Sequence, residues 1–173
     1  MTGDDIVSWL DTLFPGLTLT MFAGNPVATS THHGVPVGVT VGFSEVDTGL
    51  RLAGAEEVSV GCEIVLRANV DNVTLATTLV KAVRQLGALG VPPQPGVLLE
   101  GIGAGKVRHG WLREPRLFVE GTPHVRQGDH LTLLVELVML TDDEFSIASE
   151  QGTDVLERRL RRRGVDVANW LRD

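Results

Sequence analysis

An α+β fold is predicted by three features of the sequence. Three runs place apolar side chains at every second position: Val37, Val39, Val41 and Phe43; Val58, Val60, Cys62, Ile64 and Leu66; and Leu131, Leu133, Val135, Leu137 and Met139. That period of two leaves one face of a strand buried. Apolar stripes with helical spacing lie near the start, in the middle and at the end of the chain. The last strand also runs directly into a helix start, where Thr141 stands at an N-cap and Glu144 lies three residues on, completing a capping box.

In chain order, Ile6, Val7, Trp9, Leu10 and Leu13 form a short helix that Pro15-Gly16 ends. Leu17 to Phe22 follows as a strand candidate. Asn25 to Pro36 holds two prolines, His32-His33 and Gly34, and reads as a loop or an edge hairpin before the first strong strand. Ser44 to Glu57 is rich in turn residues. In the strand from Val58 to Leu66, Ser59, Gly61, Glu63 and Arg67 oppose the apolar face. Asp71 caps the longest helix, whose stripe is Val73, Ala76, Leu79, Val80, Val83 and Leu86, and Gly87 or Gly90 ends it.

Val91 to Gly96 is a rigid turn, and Val97 to Leu99 and Leu117 to Val119 are short strand candidates around a glycine-rich loop. After Leu140 and Phe145, paired as a hydrophobic staple, Gly152 closes one helix and Thr153 caps the next. Arg158, Arg159, Arg161, Arg162 and Arg163 lie toward the C-terminal, negative end of that last helix, where cations are favoured.

With 173 residues and 43% hydrophobic content, the chain is expected to form one domain, residues 1–173. Met1 to Asp11 carries Asp4, Asp5 and Asp11 rather than a basic leader, and no apolar run approaches the roughly 20 residues of a membrane span. A cytoplasmic location and no membrane partner are therefore expected. The net charge of −7 disfavours nucleic acid, whose phosphates would be repelled. Cys62 is the single cysteine, which excludes an intramolecular disulfide and sulfur-based metal frameworks.

Several groupings invite a chemical reading. Gly101 to Lys106, GIGAGK, suggests a phosphate cradle, but three residues separate its first glycine from Gly-Lys where a P-loop needs four, and Val107 stands at the hydroxyl position. It reads as a turn. Cys62 alternates with Val60 and Ile64, as a buried structural thiol does, rather than sitting in the polar setting of a nucleophile. His32-His33 and the pair His124 and His130 lack the i, i+4 spacing of helical metal ligands and read as water-exposed loop histidines. Asp142, Asp143 and Glu144 complement the positive end of a helix dipole. The arginine run reads as a solvated helix end, with Val155, Leu156 and Leu160 facing inward.

Lys106 to Arg116 differs, because it gathers Arg108, His109, Trp111, Arg113 and Arg116 within an acidic protein. Trp and Arg are the residues that most often anchor interfaces, so these five are the candidate protein-binding residues. The competing reading has Trp111 covering the core. No catalytic, cofactor-binding or metal-ligating residue is expected.

The junction LTLLVELVMLTDDEF from Leu131 to Phe145, with the GTDVLERRL after it, resembles the C-terminal part of the suppressor-of-fused domain family. VGVTVGFSEVD, Val37 to Asp47, is similar to the strand-and-turn signature of that family. VGCEIVLR, Val60 to Arg67, is similar to its glutamate-bearing strand. The resemblances keep family order from WLDTLFPG at Trp9–Gly16 to VDVANWLR at Val165–Arg172.

The resemblance implies a mixed, largely antiparallel sheet with helices packed against it, and a non-enzymatic protein-binding role. Eukaryotic members are two-domain inhibitors that sequester a transcription factor, and the chain is too short for their second domain, so that activity is not carried over. Compact bacterial members are often immunity proteins that neutralise polymorphic toxins, which makes a toxin domain the expected partner. A small-molecule-binding or regulatory domain and a hydrolase-type enzyme are the alternatives. At residue level, Thr141 and Glu144 are expected to exchange hydrogen bonds, and Cys62 to be buried with no histidine within bonding distance.

Overall fold

The computed structural model describes residues 3–173, so Met1 and Thr2, which open the stretch read as lacking a basic leader, lie outside the described residues. The elements are α1 (Gly3–Leu13), β1 (Thr18–Phe22), β2 (Asn25–His32), β3 (Val35–Thr40), a 3-10 turn (Phe43–Glu45), β4 (Arg51–Leu52), β5 (Ala55–Arg67) and α2 (Asn72–Leu89). There follow β6 (Leu98–Leu99), β7 (His109–Arg113), β8 (His124–Gln127), β9 (His130–Leu140), α3 (Asp142–Gln151) and α4 (Thr153–Arg163).

The strands form one sheet in the order β1-β2-β3-β5-β9-β7-β6, with β4 paired to β5 and β8 to β9. Only β5 and β9 run parallel among the described strands; the other pairs are antiparallel. The sheet is thus mixed and largely antiparallel, and the fold is α+β.

Alternation decides which helix covers which face. Cys62, Ile64 and Leu66 of β5 and Val135, Leu137 and Met139 of β9 pack with Leu75, Leu79 and Leu86 of α2. Gly38 lets α2 approach: a Cβ there would lie 3.0 Å from a Leu79 methyl and 3.3 Å from the Leu75 Cβ. On the other face Ile6 and Leu10 of α1 and the following Phe14 pack on Val37, Val39, Val65 and Leu134. Further along that face Trp111, Val138 and Leu140 meet Ala148, Leu156 and Leu160 of α3 and α4. Burying both faces of β5 and β9 makes them the centre of the molecule.

The centre holds a carboxylate. Glu63 leaves β5 on the side away from Cys62 and is fully buried. The β3–β5 ladder stops at Val39↔Val65, and beyond it the chain bonds to the Glu63 side chain instead of to a strand. Oε1 accepts from the Gly42 and Ser44 amides at 2.9 and 3.0 Å and from Ser44 Oγ at 2.8 Å. Oε2 accepts from Thr40 Oγ1 at 2.6 Å and the Phe43 amide at 3.3 Å. Thr40 Oγ1 in turn accepts from the Ile64 amide at 2.8 Å.

Gly42, at φ 84°, supplies the turn that aims three successive amides at one anion. Burial pushes the Glu63 carboxyl above its ordinary range, while the donors from Thr40, Ser44 and Phe43 pull it down. Beside it, Gly61 is obligatory, because a Cβ there would overlap the Ser44 carbonyl.

The helix ends follow the capping signals. Asp71 accepts from the Thr74 amide at 2.8 Å, and α2 ends with Gly90 in the left-handed region, its amide bonded back to Leu86 and Gly87. The Thr141 amide donates to Glu144 Oε2 at 2.9 Å and the Glu144 amide to Thr141 Oγ1 at 3.3 Å, the capping box expected from the sequence. Arg172 locks this junction from the C-terminal segment, donating to Glu144 Oε1 at 3.1 Å and also to the Met139 carbonyl.

Several expectations are corrected. Asn25 to Pro36 is neither loop nor edge: β2 is an inner strand between β1 and β3. Pro26 fits there because its carbonyl still accepts from the Val41 amide, 3.2 Å away, a bond that uses no proline N–H. Phe43 is not in a strand, since Glu63 diverts the chain after Thr40 into the 3-10 turn. Leu117 to Val119 is not a strand. Gly152, not Thr153, stands at the N-cap of α4, without a side-chain cap.

Two substitutions test this description. Thr141→Ala removes an N-cap acceptor and is expected to lower stability by about 1 kcal/mol in equilibrium urea unfolding. Gly61→Ala drives a methyl into the Ser44 carbonyl and is expected to cost more than about 3 kcal/mol, beyond ordinary overpacking; a loss below about 1 kcal/mol would show that the β5 crossing is not tight.

Candidate protein-binding face

β7 sits between β6 and β9, with His109 opposite Leu140, Trp111 opposite Val138 and Arg113 opposite Glu136. Alternation sends His109, Trp111 and Arg113 to the face that carries α3 and α4, while Gly110 and Leu112 turn to the α2 side. Gly110 is needed there, since a Cβ would press on Ile102 and Leu137 side chains at 2.7 and 2.9 Å.

The five candidate residues divide by depth. Trp111 is 3% exposed and packs among Val138, Leu140, Leu156 and Leu160. Arg113, its side chain 12% exposed, lies over the Trp111 ring and donates to both oxygens of Glu136, at 2.9 Å from Nε and 3.2 Å from Nη2. Glu136 also accepts from the Arg116 amide at 3.0 Å, so its burial is matched by three donors. Glu157 of α4 bridges outward, 3.6 Å from Arg113 and 3.0 Å from Arg116 Nη2.

His109 stacks on Phe145 with ring centres 4.2 Å apart. Its Nδ1 accepts from the Gly101 amide at 3.2 Å, which places the ring proton on Nε2, aimed at Asp142 3.0 Å away. Arg108 makes a two-pronged pair with the same carboxylate, holding Asp142 below the ordinary carboxylate range, with His109 adding to the effect. The acidic start of α3 therefore serves β7 as well as the helix dipole.

Arg108 and Arg116 remain about half exposed, at 54% and 53% of their side-chain surface. A polar depression of about 340 Å³, lined by Trp111, Arg113, Arg116, Thr153, Asp154 and Glu157 among others, opens beside Arg116. The arrangement is a charge-rich face built on β7, with the guanidiniums of Arg108 and Arg116 exposed on the segments that flank the strand.

The remaining groupings take structural places. Gly101 to Lys106 is a tight turn closed by an Ala104–Val107 bridge, with Gly103 against the Val107 carbonyl and Lys106 paired to Asp173. Cys62 is 5% exposed within the α2 core, and burial pushes its thiol to about 11. The arginine run of α4 is exposed.

His32 corrects the expectation of water-exposed histidines. It packs against Phe14 and Phe118, bonds the Leu117 carbonyl at 3.0 Å, and burial lowers its pKa. His130 Nδ1 lies 2.8 Å from Ser59 Oγ, a pair the sequence hides because the two residues meet only across β5 and β9. Among the described residues its Nε2 is buried without a partner, so the pair lacks the orienting third group of a hydrolase triad. Among the described residues no group of three or more His, Cys, Asp or Glu could hold a metal.

No family model matches the chain, and no curated protein matches it. Solved structures do. A chain of the crystal structure of the Sufu–Fu complex aligns over 98% of this chain and 90% of its own length, at 14% identity and a TM-score of 0.69. A protein from Neisseria gonorrhoeae, named as a suppressor of fused homologue, aligns over 99% of this chain and 94% of its own, at 12% identity and a TM-score of 0.72. The chain has the suppressor-of-fused fold. Drosophila suppressor of fused shares that fold over 92% of this chain but only 41% of its own length, at 15% identity and a TM-score of 0.58. The likeness expected from the strand and junction motifs is thus present in the architecture.

Two outcomes check this site. A thiol reagent should label native Cys62 slowly and speed up only on unfolding, because both burial and the raised pKa suppress the thiolate. Arg113→Ala leaves Glu136 buried without its main partner and should cost about 3 kcal/mol in urea unfolding.

Proposed function

We propose that this chain is a single-domain, non-enzymatic protein-binding module acting in the cytoplasm, and that its contact surface is the β7 face presenting Arg108 and Arg116. In this reading Trp111, Arg113 and His109 are the rigid support beneath. The observation that carries it is the near full-length structural likeness to a protein crystallised with a protein partner, Fu. The chemistry of the face agrees: arginines held in place by carboxylates lose little side-chain freedom on binding, and guanidiniums pair readily with acidic groups. An acidic or mixed-charge protein surface is the fitting partner.

The finer form of the proposal is that the partner is a toxin domain and the chain its immunity protein. This form rests on the resemblance to the compact bacterial members of the family, and the bacterial protein that shares the fold has almost the same length. A small-molecule role has less behind it, because the concavities are partly open to solvent rather than closed pockets. No helix among the described residues is long and apolar enough to cross a membrane.

The test is genetic and then physical. A toxin encoded beside this chain should harm cells when expressed alone and be harmless when co-expressed. Reversing both exposed charges, Arg108→Glu with Arg116→Glu, should weaken the complex at least about 100-fold if the two positions are interface hot spots. Unchanged affinity in a correctly folded variant would move the interface elsewhere on the molecule.

A further inference from the structure

One end of the sheet is open. Among the described residues β1 is the terminal strand, bonded to β2 on one side only. Its residues Thr18–Met21 are exposed, with Leu19 at 52% and Met21 at 64%. Exposed sheet edges are usually blunted by lysine, by proline or by a bulge, because their free amides and carbonyls accept another strand. β1 carries none of these, and from Thr12 to Ser44 the sequence holds no Asp, Glu, Lys or Arg at all. The carboxylate nearest in sequence, Asp11, is engaged by the Gly16 and Leu17 amides at 3.0 and 3.2 Å.

The hairpin fixes which groups are free. β1 and β2 are joined by Ala23 and Gly24, both at positive φ, as in a two-residue hairpin turn. Phe22 and Asn25, which flank the turn, then form a hydrogen-bonded pair, and such pairs alternate along the ladder. Phe22, Thr20 and Thr18 direct their main-chain groups toward β2. Leu19 and Met21 direct theirs outward. Pro26 stands opposite Met21, at a site where β1 asks no N–H of it.

We propose that β1 is a dimerisation edge, and that its occupant is the β1 of a second copy, antiparallel about a two-fold axis through Thr20. In that register Leu19 stands opposite Met21 of the other copy and exchanges both main-chain hydrogen bonds with it, and the symmetric pair does the same. The four side chains of Leu19 and Met21 fall on one face as an apolar cluster, and Thr20 meets Thr20 at the axis. Charge permits the same occupant at this edge. Two molecules of net charge −7 repel across most of their surfaces, and an uncharged strand within an uncharged segment is where they can meet at least electrostatic cost.

The experiment is sedimentation equilibrium of the full chain over a concentration series, with and without Leu19→Lys plus Met21→Lys. The expected result is a weight-average mass that rises from 18.6 kDa toward twice that value for the unaltered chain and stays at the monomer for the variant. Because lysines could disturb the hairpin, Met21→Pro is run beside it: it removes an outward N–H that β2 does not use, and should give a monomer with an unchanged circular dichroism spectrum. A monomer at every concentration for the unaltered chain overturns the proposal, even if the edge then captures an extended segment of another protein. A dimer that survives in a folded Met21→Pro variant overturns it as well.

Discussion

The structure depends on one buried carboxylate accepting the bonds that a missing strand would otherwise supply. Glu63 sits where β3 parts from β5, and its two oxygens take five donors from Thr40, Gly42, Phe43 and Ser44. Burying a carboxyl is costly unless each acceptor site is filled, and here the filling groups are mostly backbone amides that would themselves be orphaned without it. Neither side of the arrangement is tolerable alone. That mutual need fixes the path from β3 into the 3-10 turn, seats Ser44 against Gly61, and leaves β5 free to pair in parallel with β9.

From that centre the same logic repeats outward. Glu136, on the strand beside Glu63, is matched by Arg113 and the Arg116 amide, and Glu144 is matched by Arg172 and the Thr141 amide. Each carboxylate joins segments far apart in sequence: β7 to β9, and the C-terminal turn to the start of α3. Arg108 and Arg116 flank the strand that these pairs anchor, and their own guanidiniums are held by Asp142 and Glu157.

The sequence made the strong strands, α2, both capped junctions and the buried thiol legible, because alternation, helical spacing and caps are local signals. It made the mixed sheet legible only through resemblance. β7 was hidden because His109-Gly110-Trp111-Leu112-Arg113 sets Trp111 between two paired polar residues on one face and glycine beside Leu112 on the other, so it shows no apolar alternation. β4 and β8 are short and largely exposed, so they leave no apolar pattern. The candidate site was read as a cluster of residue types, and its geometry could not be: Asp142, Glu136 and Glu157, which hold the arginines, are distant in sequence. Glu63 stood on the polar side of its strand in the sequence, where apolar Val65 was the one local sign that this side is buried.

The central claim is that the Glu63 cradle is part of the cooperative core rather than a surface loop. Native-state hydrogen exchange of the Gly42, Phe43 and Ser44 amides measures it most directly. The account predicts that all three exchange only through global unfolding, with protection equal to that of the Ile64 amide that Thr40 Oγ1 accepts. Exchange of these three at the rate of an exposed turn such as that around Gly49, while Ile64 stays protected, would contradict it.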